Sequence, residues 1–197
     1  DAAFFIHEDT KEPLAAKCAK LRDVVFINRL GTVYDKSERL QACVRVLSSD
    51  AAFESGERLS ASAAEHLREA ARLCKADLVT HLVYEFPELQ GIAGREYLKR
   101  ENKPAEVCTA VSDHYLPRTL SETIEPERYA DISQGRTAAL LGIVDRFDTI
   151  VGAFAIGIEL SGSEDPYALR RASGGIVKLI RAYDIYFSVN RLFDTVY

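Results

Sequence analysis

Apolar residues recur every three to four positions along most of the chain, a rhythm that predicts helices. Leu14, Cys18, Leu21, Val25 and the run Ile27–Leu30 trace a first helix. Asp9 or Thr10 would cap it, Pro13 falls in its first turn, and Gly31 ends it. Val33, Leu40, Val44 and Leu47 stripe a second helix over 32–47, with the charge-dense Tyr34–Arg39 in its middle. The polar stretch 48–59, containing Gly56, predicts a loop. Ser60 or Ser62 would then cap a third helix, on which Ala63, Leu67, Ala70, Cys74, Asp77 and Leu78 lie close to one face. The pattern carries this helix weakly on through Val83 before Pro87 stops it.

A short helix is expected over 94–100. Another covers 105–115, opened by Pro104 and closed by Pro117. The polar stretch 119–132 reads as a surface loop. Leu140, Val144, Phe147, Ile150, Val151 and Phe154 mark a long apolar helix over 135–156. Ser163 before Glu164-Asp165-Pro166 is a helix-start signature. The helix that follows runs through Leu169, Ile176, Leu179 and Ile180, with Ser173-Gly174-Gly175 as an interruption. A last helix is expected over 186–197. No alternating pattern persists, so the expected class is all-α.

Composition narrows this picture. The 197 residues are 47% hydrophobic and 28% charged, enough for a water-bounded core. No apolar run reaches the ~18 residues of a membrane span, and no basic segment precedes the apolar start as in a signal peptide. The chain opens on Asp1 and has no methionine, which predicts a piece of a longer polypeptide. Cys18, Cys43, Cys74 and Cys108 form no C-x-x-C pair, which favours reduced, mostly buried thiols over a zinc site. The net charge of -5 does not advertise nucleic-acid binding, although a local basic face can exist on an acidic domain.

Candidate chemistry gathers in Leu73–Gly94, where Lys75, Asp77, Thr80, His81, Glu85 and Gln90 sit among apolar residues. Asp77 and His81, four apart, would share a helical face. With Glu85, Asp145 or Asp148 they could hold a divalent metal; the plainer alternative is a hydrogen-bonded pair at a helix end. His7, His66 and His114 show no metal-ligand spacing to one another. Asp145-Arg146-Phe147-Asp148 offers two carboxylates for acid–base or metal chemistry, or an ion pair of Arg146 with Asp148. Arg170 and Arg171 with Lys178 and Arg181, and Arg95 with Lys99 and Arg100, could face phosphates or simply solvate helices. Gly91-x-x-Gly94 reads as a turn needing close backbone approach. There is no Walker loop, no G-x-S-x-G and no Cys–His catalytic signature.

Several blocks together resemble the bacterial-type glycyl-tRNA synthetase beta subunit family. They are Leu30–Lys36, Lys75–Thr80 with Val83–Gly91, His114–Arg118, Asp145–Gly152 with Phe154–Gly157, and Gly162–Ala172. The resemblance implies one subunit of a tetrameric ligase of two alpha and two beta chains. ATP and Mg serve glycine activation in alpha, and no cofactor is implied in this stretch. It further implies a cytoplasmic protein whose partners are glycine tRNA, the alpha subunit and the remainder of beta, with no membrane. Residues 1–197 would form one HD-like helical bundle, with 1–59 as an N-terminal helical pair and loop and 60–197 as the rest.

An active HD-type site takes a His, a His-Asp pair and a later Asp. Here the first falls near Asp35-Lys36 and the pair near Cys74-Lys75-Ala76, while Asp145 keeps its identity. The implied site is degenerate, at Asp35, Lys75, Asp77, His81 and Asp145, with no catalytic residue and no metal. Lys75 would pair with Asp145 or meet a phosphate. Lys75, Arg95, Lys99, Arg146, Arg170 and Arg171 are the candidate RNA contacts, on the acceptor side of tRNA. The family pattern has Lys where Arg146 and Glu164 stand and Met at Ala93, and His81 is atypical. Two other readings stay open: a metal-dependent phosphohydrolase using Asp77, His81 and Asp145, and a purely structural module.

Overall fold

A computed structural model describes residues 2–48, 59–159, 165 and 167–196. Its elements follow from local chemistry, beginning with helices α1 (Ala2–Asp9) and α2 (Leu14–Lys17). The expected first helix does not continue past Lys17. A 3-10 turn covers Cys18–Asp23, and strand β1 (Val25–Ile27) pairs antiparallel with β2 (Gly31–Thr32). The β-branched and aromatic run Val24–Ile27 suits an extended backbone, and Gly31 takes a φ of +84° that side chains rarely adopt. Apart from this small ribbon the described residues are helical or irregular, and the fold is all-α.

Helix α3 (Val33–Leu47) begins with a reciprocal cap. Asp35 N–H donates to Thr32 Oγ1 at 3.2 Å, and Thr32 N–H donates to Asp35 Oδ2 at 2.7 Å. The polar stretch 49–58 and the expected cap at Ser163, Glu164 and Pro166 lie outside the described residues. Helix α4 (Ala61–Leu73) starts on Ser60, whose Oγ accepts from Ala63 N–H at 3.1 Å. It stops at Cys74 instead of running to Val83. A 3-10 turn over Ala76–Val79 follows, and Thr80, extended, caps a separate short helix α5 (His81–Glu85). Thr80 Oγ1 both donates to Asp77 O at 2.6 Å and accepts from Val83 N–H, which fixes the break.

Helices α6 (Ile92–Arg100) and α7 (Ala105–Asp113) form a hairpin across Pro104. The long helix α8 (Ile132–Ala155) is capped by Asp131, which accepts from Ser133 N–H. Helix α9 (Leu169–Tyr183) runs unbroken through Ser173-Gly174-Gly175, and α10 (Val189–Val196) packs on α3. The described part of the α9 start is held by Asp165, whose carboxylate accepts from Leu169 and Arg170 N–H at 2.6 and 3.0 Å. Helix α8 is the axis. Leu140, Leu141, Ile143 and Val144 are buried where α3, α4, α7 and α9 pack around it. Cys43, Cys74 and Cys108 are buried and Cys18 partly so. All four are free thiols, and burial pushes those of Cys43 and Cys74 up to about 12. No helix among the described residues is long and apolar enough to cross a membrane.

Candidate functional site

Two helices and two helix ends aim polar and charged side chains at one buried point. The end of α4 delivers Lys75, the end of α7 delivers His114, α3 delivers Lys36, and α8 delivers Asp145 and Asp148. Lys75 Nζ lies 3.1 Å from Asp145 Oδ2, 2.9 Å from His114 Nε2 and 3.2 Å from Tyr115 OH. Lys36 Nζ lies 3.1 Å from Asp145 Oδ1, an ion pair without hydrogen-bond alignment, and 3.0 Å from Asp148 Oδ2. It also donates to Asp145 O and Thr149 Oγ1. Arg39 completes the set, with Nε 2.6 Å from Asp148 Oδ1. Lys36, Lys75, His114 and Asp148 are all buried, at 5% exposure or less.

The protonation states follow from the partners. His114 Nδ1 faces the carbonyls of Ala110 and Val111 at 3.1 and 3.0 Å, so Nδ1 bears the proton and Nε2 accepts from the Lys75 ammonium. Burial, and then the Lys75 charge, push this imidazole well below its ordinary value. Burial opposes ionisation of Asp145, but the Lys36 and Lys75 ammoniums outweigh it and hold the carboxyl well below the usual range. Burial drives the Tyr115 phenol well above its ordinary value, and Tyr115 OH accepts from Gln90 Nε2 at 2.6 Å.

Lys75 and Asp145 are thus brought together, as the sequence suggested. Asp77 lies beside them on another duty. Its Oδ2 accepts from Gly91 and Gly94 N–H at 2.7 and 3.2 Å, closing the turn before α6. Asp77 Oδ1 has no hydrogen-bond partner, and burial raises its carboxyl. A side chain at Gly94 would press on Asp77 and Val111, and one at Gly91 on the Tyr115 ring, so both glycines are close-approach positions. His81 is exposed and turned away. Its Nδ1 meets Asp9 Oδ1 at 2.9 Å, and Asp9 also accepts from His81 and Leu82 N–H and from Tyr97 OH. The helix break at Thr80 removes the shared face expected for Asp77 and His81. Asp35 is exposed and spent on its cap, and the neighbouring Lys36 points inward instead.

A cavity of ≈ 380 Å³ opens directly above the network, with Tyr115, Gln90, Asp145, Arg146, Arg118 and Arg171 in its lining. Arg146 does not pair with Asp148. Its guanidinium donates to the carbonyls of His114, Gly142, Tyr115 and Pro117, at 2.8–3.0 Å. Gly142 and Gly175 make room for it: a Cβ at Gly175 would stand 2.7 Å from Arg146 Nε. Arg95 and Lys99 lie instead on a cleft between α6 and α7, each paired with Glu96. Arg170 is exposed in the first turn of α9.

A family model described as glycyl-tRNA synthetase beta subunit matches residues 1–197, the whole chain. The chain belongs to the glycyl-tRNA synthetase beta subunit family. It is similar to the glycine–tRNA ligase beta subunit of Desulforamulus reducens, 42% identical over 197 residues, covering 100% of this chain and 26% of that protein. The same subunit of Moorella thermoacetica is 41% identical over 189 residues, 96% of this chain and 25% of the relative. That of Gloeothece citriformis is 40% identical over 179 residues, 91% and 23%. The chain therefore spans about a quarter of the length of the curated relatives it matches.

In this member of the glycyl-tRNA synthetase beta subunit family, the donors at the network do not fit a divalent cation. Both Asp145 oxygens face ammonium groups, and the free lone pair of His114 is taken by Lys75. Asp77 and His81 are held by separate partners, and no group of three metal-ligating side chains occurs among the described residues. A metal would have to displace two buried lysines whose charge already neutralises the carboxylate. Asp148, which spacing had paired with Asp145, belongs to the site as the partner of Lys36 and Arg39, whereas Lys36, Arg39, His114 and Tyr115 were not singled out by spacing.

Proposed function

We propose that this chain serves the beta subunit of a glycine–tRNA ligase, an ATP-dependent enzyme of protein biosynthesis in the cytoplasm, as a non-catalytic, tRNA-facing helical domain. It is a degenerate HD-type bundle that helps to hold the acceptor side of glycine tRNA and to assemble beta with alpha. Glycine activation with ATP belongs to alpha, and no hydrolase chemistry belongs here. The observation that supports this reading is the fate of Asp145. An acid that could ligate a metal is clamped between Lys36 and Lys75, and the cavity above it is lined by arginines. Such a surface suits phosphate, whose contacts position RNA without reading its sequence.

A filter-binding titration of glycine tRNA against the full ligase and its R118A/R171A variant, over a range of salt, tests the proposal. The variant should bind more weakly, with a log K against log salt slope reduced by roughly one to two. Identical slopes would defeat it.

A further inference from the structure

The charge of the Arg146 cavity does not balance. Arg118, Arg146 and Arg171 line it, and the one carboxylate among its described lining residues, Asp145, is already neutralised by two lysines. Arg146 has four of its five N–H groups committed to carbonyls, which are neutral acceptors. Its guanidinium is a fixed cation wedged between Gly142 and Gly175, and it stands close enough to Arg171 for the two charges to repel. The Arg118 and Arg171 guanidiniums have no ion pair or hydrogen bond among the described residues. Glu122, whose carboxylate accepts from the backbone N–H of Arg118, is the one further acid whose charge acts on Arg146. Among the described residues, three cations stand against this one acid beyond the lysine-paired Asp145, and such an excess of positive charge in a chain of net charge -5 is a local anion site.

The walls say which anion. Pro87, Pro117, Tyr167 and Ala172 are apolar or aromatic, and Tyr167 is partly exposed at the rim. Gln90 and Tyr115 supply polar groups at the floor. At ≈ 380 Å³ the space exceeds what a bare phosphate needs and reaches the size of a small-ligand pocket. We infer that this cavity binds a single unstacked nucleotide, with its phosphate between Arg118 and Arg171 under the fixed charge of Arg146 and its base against Tyr167 and Pro117. Stacking on Tyr167 tolerates any base. The nucleotide chemistry is the same for a free mononucleotide and for one unit of an RNA strand. The inference rests on the cavity itself, and deepens the tRNA reading only if the strand is the source.

The test uses the full ligase and three probes: cytidine 5′-monophosphate, a 5′-phosphorylated RNA trinucleotide, and inorganic phosphate. Binding is followed by equilibrium dialysis of wild type, R118A/R171A and Y167A, with the fold of each variant checked by its melting curve. The inference expects R118A/R171A to weaken both nucleotide probes by about tenfold or more. Y167A should weaken the two nucleotides and leave phosphate unchanged. Tighter binding of the trinucleotide than of the mononucleotide identifies RNA as the source, and equal binding identifies a free nucleotide; each supports the site. Nucleotide binding that ignores both variants overturns it, as does phosphate binding with no added effect of Tyr167. Failure of the tRNA reading would appear separately, as unchanged tRNA binding in R118A/R171A despite lost mononucleotide binding.

Discussion

Replacing Lys75 by methionine removes the ammonium and keeps most of the side-chain volume. Asp145 Oδ2, His114 Nε2 and Tyr115 OH, which lie 3.1, 2.9 and 3.2 Å from Nζ, then lose this partner, and of the three Tyr115 OH keeps a donor in Gln90 Nε2. Deleting one member of a buried ion pair costs about 3–5 kcal/mol, because the other charge stays buried. Lys36 still faces Asp145 Oδ1, which places the expected cost near the lower end, about 3 kcal/mol. For a unit of this size that is a fall of about 6–12 °C in the melting temperature of its own transition. The full-length beta subunit would be melted by circular dichroism as wild type, K75M, D145N and K75M/D145N. Removing both partners takes away the uncompensated charge, so the double variant should lose about 1–3 kcal/mol less than the sum of the singles. A loss of less than ~1 kcal/mol in K75M, read from the transition of this unit, or strict additivity, would refute the idea that Lys75 neutralises Asp145.

Two further outcomes follow from the same geometry. Gly175→Ala would place a methyl group 2.7 Å from Arg146 Nε, so about 1–3 kcal/mol of stability should be lost, read by urea unfolding, whereas Gly174→Ala meets only the end of the exposed, flexible Leu120 side chain and should cost less. His114 is buried neutral, with its pKa lowered by burial and then by Lys75, so on acidification the unfolded chain takes up the proton first. Its contribution to stability should be complete above the unfolded value of about 6.5 and decline by about 1.4 kcal/mol per pH unit below it, until the folded imidazole protonates. Unfolding measured between pH 7 and 5 should show that slope in wild type, and His114→Gln should flatten it.

The helices were legible wherever one apolar stripe met one core. The α3 stripe of Val33, Leu40, Val44 and Leu47 is buried as its spacing required. Of the α8 run, Leu140, Val144 and Phe147 are buried where several helices pack on it, whereas Ile150 and Val151 are half-buried and Phe154 is exposed. The first helix misled because Leu14, Leu21 and Ile27 are indeed all buried, but by a short helix, a 3-10 turn and a strand in succession. Burial at helical spacing does not require one helix.

At the site, the pairing of Lys75 with Asp145 could be named from the family blocks, and Lys36 lay within the stretch assigned to the first ligand position. His114 was set aside for want of metal-ligand spacing. Its partner is a lysine 39 residues away, a contact no local pattern announces. The capture of His81 by Asp9 spans 72 residues and is equally invisible in the chain. Ser173-Gly174-Gly175 looked like a helix breaker because propensity counts only the helix's own backbone. In the fold, Gly175 exists for the guanidinium of a neighbouring helix.

As proposed, the arginine-lined cavity above the Lys36–Asp145–Lys75 clamp serves tRNA and takes no part in glycine activation. The measurement that meets it most directly compares two activities of the full ligase carrying R118A/R171A: glycine-dependent ATP–pyrophosphate exchange, and aminoacylation as a function of tRNA concentration. Exchange should be unchanged and the KM for tRNA raised by about tenfold or more. Unchanged aminoacylation, or equal loss of both activities, would contradict it.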